Sequence, residues 1–183
     1  MDDPRQTLFT LTRDYAYRHH AEPITLASGL KSHHYFNGKE VLCRRDGAVA
    51  FARWALSALE GKGARAVGGL EIGAIPPAAA ISALSPKESP LDCFIVRKKP
   101  KDHGLGNLIE GILPKGAKVA VIEDVVTSGG SALKAIEAVE AAGCEVVAVL
   151  ALINREEGSL DALKRYPLHA VFTLSEFLEL RGR

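Results

Sequence analysis

The chain has little that marks a membrane, secreted or metal-bound protein. Its longest apolar run, residues 146–153, has eight residues, far short of the roughly 20 that a spanning helix needs. The first residues, MDDPRQTLF, are acidic and lack the apolar stretch of a signal peptide, so the chain is read as cytoplasmic. Its three cysteines, Cys43, Cys93 and Cys144, are far apart and odd in number. With no Cys-x-x-Cys pair, neither a zinc site nor a disulfide framework is signalled; each is expected to be a small buried hydrophobe in a reducing compartment. Charge of one sign is also missing: 23 Lys and Arg against 22 Asp and Glu leave a formal net charge of +1. A dedicated nucleic-acid binder carries a basic surplus, so neither nucleic acid nor a membrane is expected as a partner. There are no repeats, low-complexity tracts or clear linkers, and 183 residues fit one domain.

What is present is an ordinary globular composition, 47% hydrophobic and 25% charged. A chain of this size buries about 70% of its unfolded surface and needs no covalent staple. Leu8, Leu11 and Tyr15 lie at helical spacing over residues 5–18. Two extended pieces follow, 24–27 and 34–37, separated by a Ser28-Gly29 turn. Asp46 reads as the N-cap of a helix that ends before Gly61, with Val49, Ala52, Leu56 and Leu59 on one face. Beyond residue 66 strands alternate with helices: strands at 66–69, 92–97, 118–124, 145–153 and 168–173, and helices at 77–84, 131–142, 159–165 and 175–181. The uniformly apolar strands predict a doubly wound α/β fold, a mostly parallel sheet with helices on both faces. The pieces before residue 45 are expected to form a small hood, leaving 46–183 as the core.

One connection breaks the alternation. KKPKDHGLGNLIEGILPKG, residues 98–116, shows no helical pattern and is rich in cations and glycine. Loops of this length are usually functional or disordered, and the composition predicts an anion-seeking lid over about residues 98–112.

The strongest chemical signal lies at residues 118–131. A buried strand ends in two adjacent carboxylates, Glu123 and Asp124, and a loop leads to a helix opened near Ser131. In open α/β sheets ligands bind at the carboxyl ends of strands. Thr127, Ser128 and Ser131 supply hydroxyls, while Gly129 and Gly130 let backbone N–H groups approach an anion at the helix N-terminus. Carboxylates beside such a cradle suit vicinal hydroxyls, whose protons they accept. The pattern is not a P-loop, and GLGNLIEG does not link a strand to a helix as a dinucleotide fingerprint does.

VIEDVVTSGGS resembles the phosphoribosyl-pyrophosphate (PRPP) signature of type I phosphoribosyltransferases. RKKPKDHG (residues 97–104), ITLASGLKSHHYFN and ALINREEG narrow the resemblance to orotate phosphoribosyltransferases. The resemblance implies transfer of the phosphoribosyl group from PRPP to orotate, giving orotidine 5′-monophosphate and pyrophosphate in pyrimidine (UMP) synthesis. It implies Mg2+ held mainly by PRPP, with no direct ligand assigned and Glu123 or Asp124 reaching it through water. Glu123 and Asp124 match the family's ribose-binding acidic pair, and Val125, Val126, Thr127, Ser128, Gly129, Gly130 and Ser131 its 5′-phosphate loop. Arg97, Lys98, Lys101 and His103 match its lid residues, and Glu71, Ile72 and Gly73 its pyrophosphate loop. Asp124, Glu123, Lys101 and His103 are the expected catalytic residues. Arg155 matches the arginine for the orotate carboxylate, with Thr127, Tyr35 and Phe36 also expected at the base. A homodimer whose lids are shared between subunits is implied as well.

Bland readings remain for some of these residues. The segment 67–76 also reads as a glycine-rich turn, and Tyr35 and Phe36 as hood-core aromatics. His19-His20 and His33-His34 read as surface or hood residues. The position of Ala27 is lysine in many relatives, a charge that alanine cannot supply, so the contact is either lost or replaced, with Lys31 the candidate. Two other functions stay open: transfer to another base such as a purine, and a regulator that only senses PRPP. A base without a carboxylate has no use for Arg155, and a regulator would show a degraded lid or an added basic module.

Overall fold

The computed structural model describes residues 3–26, 28–99, 108–157, 160 and 163–182. Ala27, Lys101 and His103 therefore lie outside the described residues. In chain order the elements are α1 (Pro4–Leu11), a π-turn (Thr12–Ala16), β1 (Tyr17–Thr25), β2 (Lys31–Phe36), α2 (Lys39–Leu42), α3 (Arg45–Leu59), β3 (Ala66–Leu70) and α4 (Ile75–Leu84). They continue with β4 (Asp92–Val96), β5 (Ile109–Glu110), β6 (Lys118–Val126), α5 (Gly130–Ala141), β7 (Glu145–Asn154), β8 (Leu168–Thr173) and α6 (Leu174–Gly182).

β3 to β8 form a six-stranded sheet in the order β5-β4-β3-β6-β7-β8, parallel except for β5. β6 and β7 are apolar almost throughout because both faces are covered. On one face Ala52, Phe51, Ile81, Ile122, Leu150 and Phe177 belong to a core shared with α1, α3, α4 and α6. On the other, Val121 and Val149 pack with Ala135, Ile136 and Val139 of α5. The expected α/β architecture is thus the observed one. From β3 the chain winds outward to β4, and from β6 the other way to β7 and β8. The crevice beyond β3 and β6, where the winding reverses, is where such sheets bind ligands.

The hood is the antiparallel pair β1–β2, with Tyr17 opposite Phe36 and His19 opposite His34. Tyr17 and Phe36 contact each other and Phe177 of α6 at ring-centroid distances of 5.2–5.3 Å. Phe177 also meets Phe9 at 5.5 Å and Phe172 at 6.2 Å. Each such pair adds about 0.5–1.5 kcal/mol beyond its burial, so the C-terminal helix seats the hood on the core.

Several sequence expectations need correction. The helix expected over 5–18 is an α-helix to Leu11 that continues as a π-helix through Ala16, and the chain is extended from Tyr17. Both hood strands are longer than the apolar pattern shows, because a largely solvated ribbon has little apolar alternation to read. Asp46 is not the N-cap: Arg44 holds that position without a side-chain cap hydrogen bond, and Asp46 lies in the first turn of α3, where a carboxylate still complements the helix dipole. α4 starts at Ile75, with proline in its first turn, where the missing N–H would have had no partner. Of the helix expected over 159–165, residues 159, 161 and 162 lie outside the described residues; Leu163 is in 3-10 conformation, its N–H donating to the Leu160 carbonyl at 2.8 Å, and a turn follows through Tyr166. Cys144 is buried and Cys93 half-buried, but Cys43 is exposed. The far end of the lid segment carries regular structure, since Ile109 and Glu110 pair with Val96 and Ile95. No helix among the described residues is long and apolar enough to cross a membrane.

Candidate active site

Strand β6 runs two residues further than its charge pattern indicates, through Val126. The loop is therefore only 127–129, and α5 opens at Gly130 behind Gly129, which has φ 78°. A Cβ on Gly129 would also fall 2.6 Å from Leu163 Cδ1. Only glycine meets both conditions cheaply, so this tight turn aims the first N–H groups of α5 outward. A cavity of about 270 Å³ lies over them, lined by Glu123, Val125, Val126, Thr127, Ser128, Gly129, Gly130 and Ser131. Ser28 from the hood turn and Lys134 from α5 complete its wall.

A second cavity, about 410 Å³, shares Glu123, Val125, Thr127 and Ser131 with the first. It is also lined by Asp124, by Glu71, Ile72 and Gly73 beyond β3, by Lys98 beyond β4 and by Arg155 beyond β7. Tyr35, Phe36 and Lys39 close it from the hood side. Tyr35 is exposed, whereas Phe36 is only 5% exposed and is mostly a core residue. The loop after β3 is held by Glu71, whose Oε1 accepts from the Lys98 N–H at 2.8 Å; the Glu71–Ile72 peptide is cis.

The acidic pair is electrostatically uneven. Glu123 and Asp124 are 8% and 7% exposed. Burial foremost, then the neighbouring negative charge of Asp124, pushes the Glu123 carboxyl up to about 9. It is neutral at pH 7, and its Oε2 has no hydrogen-bond partner. Asp124 instead meets Lys39, whose Nζ donates to Oδ2 at 3.0 Å. Burial alone would depress the Lys39 ammonium, but the Asp124 charge and hydrogen bond outweigh it and raise it above its ordinary value.

Arg155 is 2% exposed, so its charge must be compensated. Glu157 does this, with Oε2 2.9 Å from Nε and 2.7 Å from Nη2, and Nη2 also donates to the His34 carbonyl of β2. Glu157 Oε1 in turn accepts from Ser32 Oγ at 2.7 Å, tying the hood to the end of β7. Four of the six histidines, His19, His20, His33 and His34, are on this ribbon, with His19 stacked on His33 and His34 Nδ1 bonded to Tyr17 OH at 2.9 Å. Burial, then the charges around it, lowers His34 below the usual histidine range.

The structure thus brings Glu71, Ile72, Gly73, Lys98, Glu123, Asp124, the 125–131 turn, Arg155, Tyr35 and Phe36 around one pair of cavities. Arg97 is not among their lining residues; it lies along the lid base, with Nη1 3.3 Å from Glu110 Oε1. Lys31 is exposed at the start of β2, and Lys39, not Lys31, faces the cavity. Sequence reasoning missed Lys39 and Glu157. Lys39 lies 85 residues from its partner, and a lysine after Asn-Gly carries no local signal. Glu157 could have been found as the carboxylate beside a buried arginine.

The phosphoribosyl transferase domain family matches residues 38–173. The chain is 46% identical over 163 residues to an orotate phosphoribosyltransferase of Rhodopseudomonas palustris (strain BisB5), covering 85% of this chain and 87% of the relative. It is 39% identical over 178 residues to that of Aquifex aeolicus (strain VF5), covering 95% and 97%. Among solved structures, orotate phosphoribosyltransferase of Mycobacterium tuberculosis H37Rv in complex with Fe(III) dicitrate superposes with a TM-score of 0.81 at 32% identity, covering 95% of this chain and 98% of that one. The same enzyme in complex with PRPP gives a TM-score of 0.76 at 29% identity, covering 96% and 99%. With the family spanning most of the chain and close relatives matching at nearly full length, the chain belongs to the phosphoribosyl transferase domain family and, within it, to the orotate phosphoribosyltransferases.

Proposed function

We propose that this chain transfers the 5-phosphoribosyl group from PRPP to N1 of orotate, giving orotidine 5′-monophosphate and pyrophosphate. The observation that carries the reading is the convergence of an acidic pair, a hydroxyl-and-glycine turn at a helix N-terminus and a buried arginine on two joined cavities. The 270 Å³ cavity suits the 5′-phosphate, received by backbone N–H groups and the hydroxyls of Thr127, Ser128 and Ser131. Glu123 and Asp124 would then meet the ribose hydroxyls, the neutral Glu123 as a possible donor and Asp124 as an acceptor. Beyond the ribose, Glu71, Ile72, Gly73 and Lys98 line the place for the pyrophosphate. Arg155, already oriented by Glu157, offers its remaining N–H groups to the orotate carboxylate, with Thr127, Tyr35 and Phe36 around the ring. A purine has no carboxylate for that guanidinium to meet.

The ribose gains positive charge as the C1–O bond to pyrophosphate breaks and the bond from orotate N1 forms, the N1 proton passing to the departing pyrophosphate or to water. Placement and charge stabilisation supply the rate, with no covalent enzyme intermediate. Among cavity carboxylates Glu71 is engaged with Lys98, Glu123 is neutral and Asp124 is paired. No group of three or more His, Cys, Asp or Glu among the described residues could hold a metal ion. That donor set fits an Mg2+ carried in on the oxygens of PRPP, with Glu123 or Asp124 reaching it through water. When bound, the ion neutralises charge on the departing pyrophosphate.

Residues 1–183 then make one phosphoribosyltransferase domain, with a hood mainly over 1–45, a core over 46–183 and a mobile lid over about 98–112. Lys101 and His103 are assigned to the departing pyrophosphate. That Arg97 does not line its own cavities supports a homodimer in which it acts with Lys101 and His103 on the neighbour's site; Lys98, expected to act across the dimer with them, lines its own cavity instead. The test is loss of orotate absorbance when PRPP and Mg2+ are added to purified protein. Turnover with hypoxanthine, guanine or uracil but not orotate would refute the reading.

A further inference from the structure

Asp124 is enclosed on three sides. Lys39 Nζ holds Oδ2 at 3.0 Å. A Cβ on Gly38 would lie 2.8 Å from Asp124 Cβ, and a Cβ on Gly73 would lie 2.8 Å from Oδ1. A side chain at Gly73 would displace the carboxylate, and one at Gly38 would push on Asp124 Cβ and its main chain, from which the carboxylate is aimed. The turn that delivers Lys39 is braced as well. The Asn37 N–H donates to the Ala16 carbonyl at 3.0 Å, and Asn37 Nδ2 donates to Glu40 Oε1 at 3.0 Å. Lys39 is half-exposed and lines the 410 Å³ cavity, so its charge is not consumed in the core. An exposed ion pair contributes little to stability; one that sets the rotamer of a buried carboxylate facing the substrate can contribute to rate.

We propose that Lys39 is a positioning residue of the transfer reaction: it draws the Asp124 carboxylate into the slot between Gly38 and Gly73, so that Asp124 meets the ribose in a single orientation. This rests on the function proposed above. Lys39 acts through Asp124, and its effect disappears when Asp124 has no charge to hold.

The experiment is a double-mutant cycle in steady-state kinetics with wild type, Lys39→Met, Asp124→Asn and the double variant, each checked for folding by thermal unfolding. Lys39→Met is expected to lower kcat by about ten- to hundredfold, the range of one charge-assisted contact, with a smaller change in KM for PRPP. Lys39→Arg, which keeps the charge, is expected to recover most of that loss. In the Asp124→Asn background, Lys39→Met is expected to add less than about a twofold further loss, because residues acting as one unit are not additive. Multiplying effects, a loss confined to KM for PRPP, or a Lys39→Arg variant no better than Lys39→Met would each overturn the proposal. A wild-type protein inert with orotate but active with a purine overturns the orotate reading instead; the same cycle run with that base still tests Lys39.

Discussion

Replacing Glu123 by Gln should stabilise the ligand-free protein, and only above acidic pH. In the unfolded chain this carboxyl titrates near its ordinary 4.5, whereas in the fold it titrates near 9 because it is buried beside Asp124. As pH rises between these values the unfolded chain releases a proton that the folded chain keeps, so stability falls; below 4.5 both states hold the proton and the penalty vanishes. Each pH unit corresponds to about 1.4 kcal/mol, and the whole window to a ceiling of about 6 kcal/mol. Water entering the open cavity and local rearrangement relieve much of this, leaving about 2 kcal/mol at pH 8. Glutamine keeps the shape and does not titrate. For a chain of this length Glu123→Gln should raise the Tm by about 4–8 °C at pH 8, a gain that shrinks toward zero at pH 4.5. Circular dichroism melts from pH 4.5 to 9, without PRPP or Mg2+, measure it. A Tm difference that is flat with pH, or that favours the wild type at pH 8, would refute the argument.

Arg155→Ala should raise KM for orotate by about ten- to hundredfold while changing KM for PRPP far less. It should also cost about 3 kcal/mol of stability, since Glu157 loses its partner; urea unfolding beside steady-state kinetics separates the two effects. Gly129→Ala should destabilise by about 1–3 kcal/mol, from positive φ and the Leu163 contact, and weaken PRPP binding measured by calorimetry; unchanged binding would disconnect this turn from the phosphate. Mixing Lys101→Ala and Asp124→Asn proteins under subunit exchange should restore activity well above the little that each parent has. One site of the hybrid dimer then combines an intact lid with an intact acidic pair. A mixture as inactive as its parents, despite proven exchange, would show that the lid works within its own chain.

The alternation of apolar strands and helices beyond residue 66 was readable because covered parallel strands must be apolar on both faces, a local property of composition. The acid-acid, hydroxyl and double-glycine pattern at 123–131 was readable for a similar reason: its parts are consecutive, so spacing alone states the chemistry. The hood was only partly legible. Its ribbon is largely solvated, and the aromatic anchor that seats it, Tyr17, Phe36 and Phe177, joins chain segments that show no relation in sequence. Arg155 could be named from its motif, and Glu157 two residues on could have been, but not the Ser32 that fixes Glu157 to the hood. The uneven charge of the acidic pair was invisible as well. Two adjacent carboxylates look alike in sequence; burial leaves Glu123 neutral, while Lys39, brought from 85 residues away, donates its hydrogen bond to Asp124. Sequence determined which groups the chain carries, and tertiary structure decided which are charged and what holds them, because desolvation and long-range pairing exist only once the chain has folded.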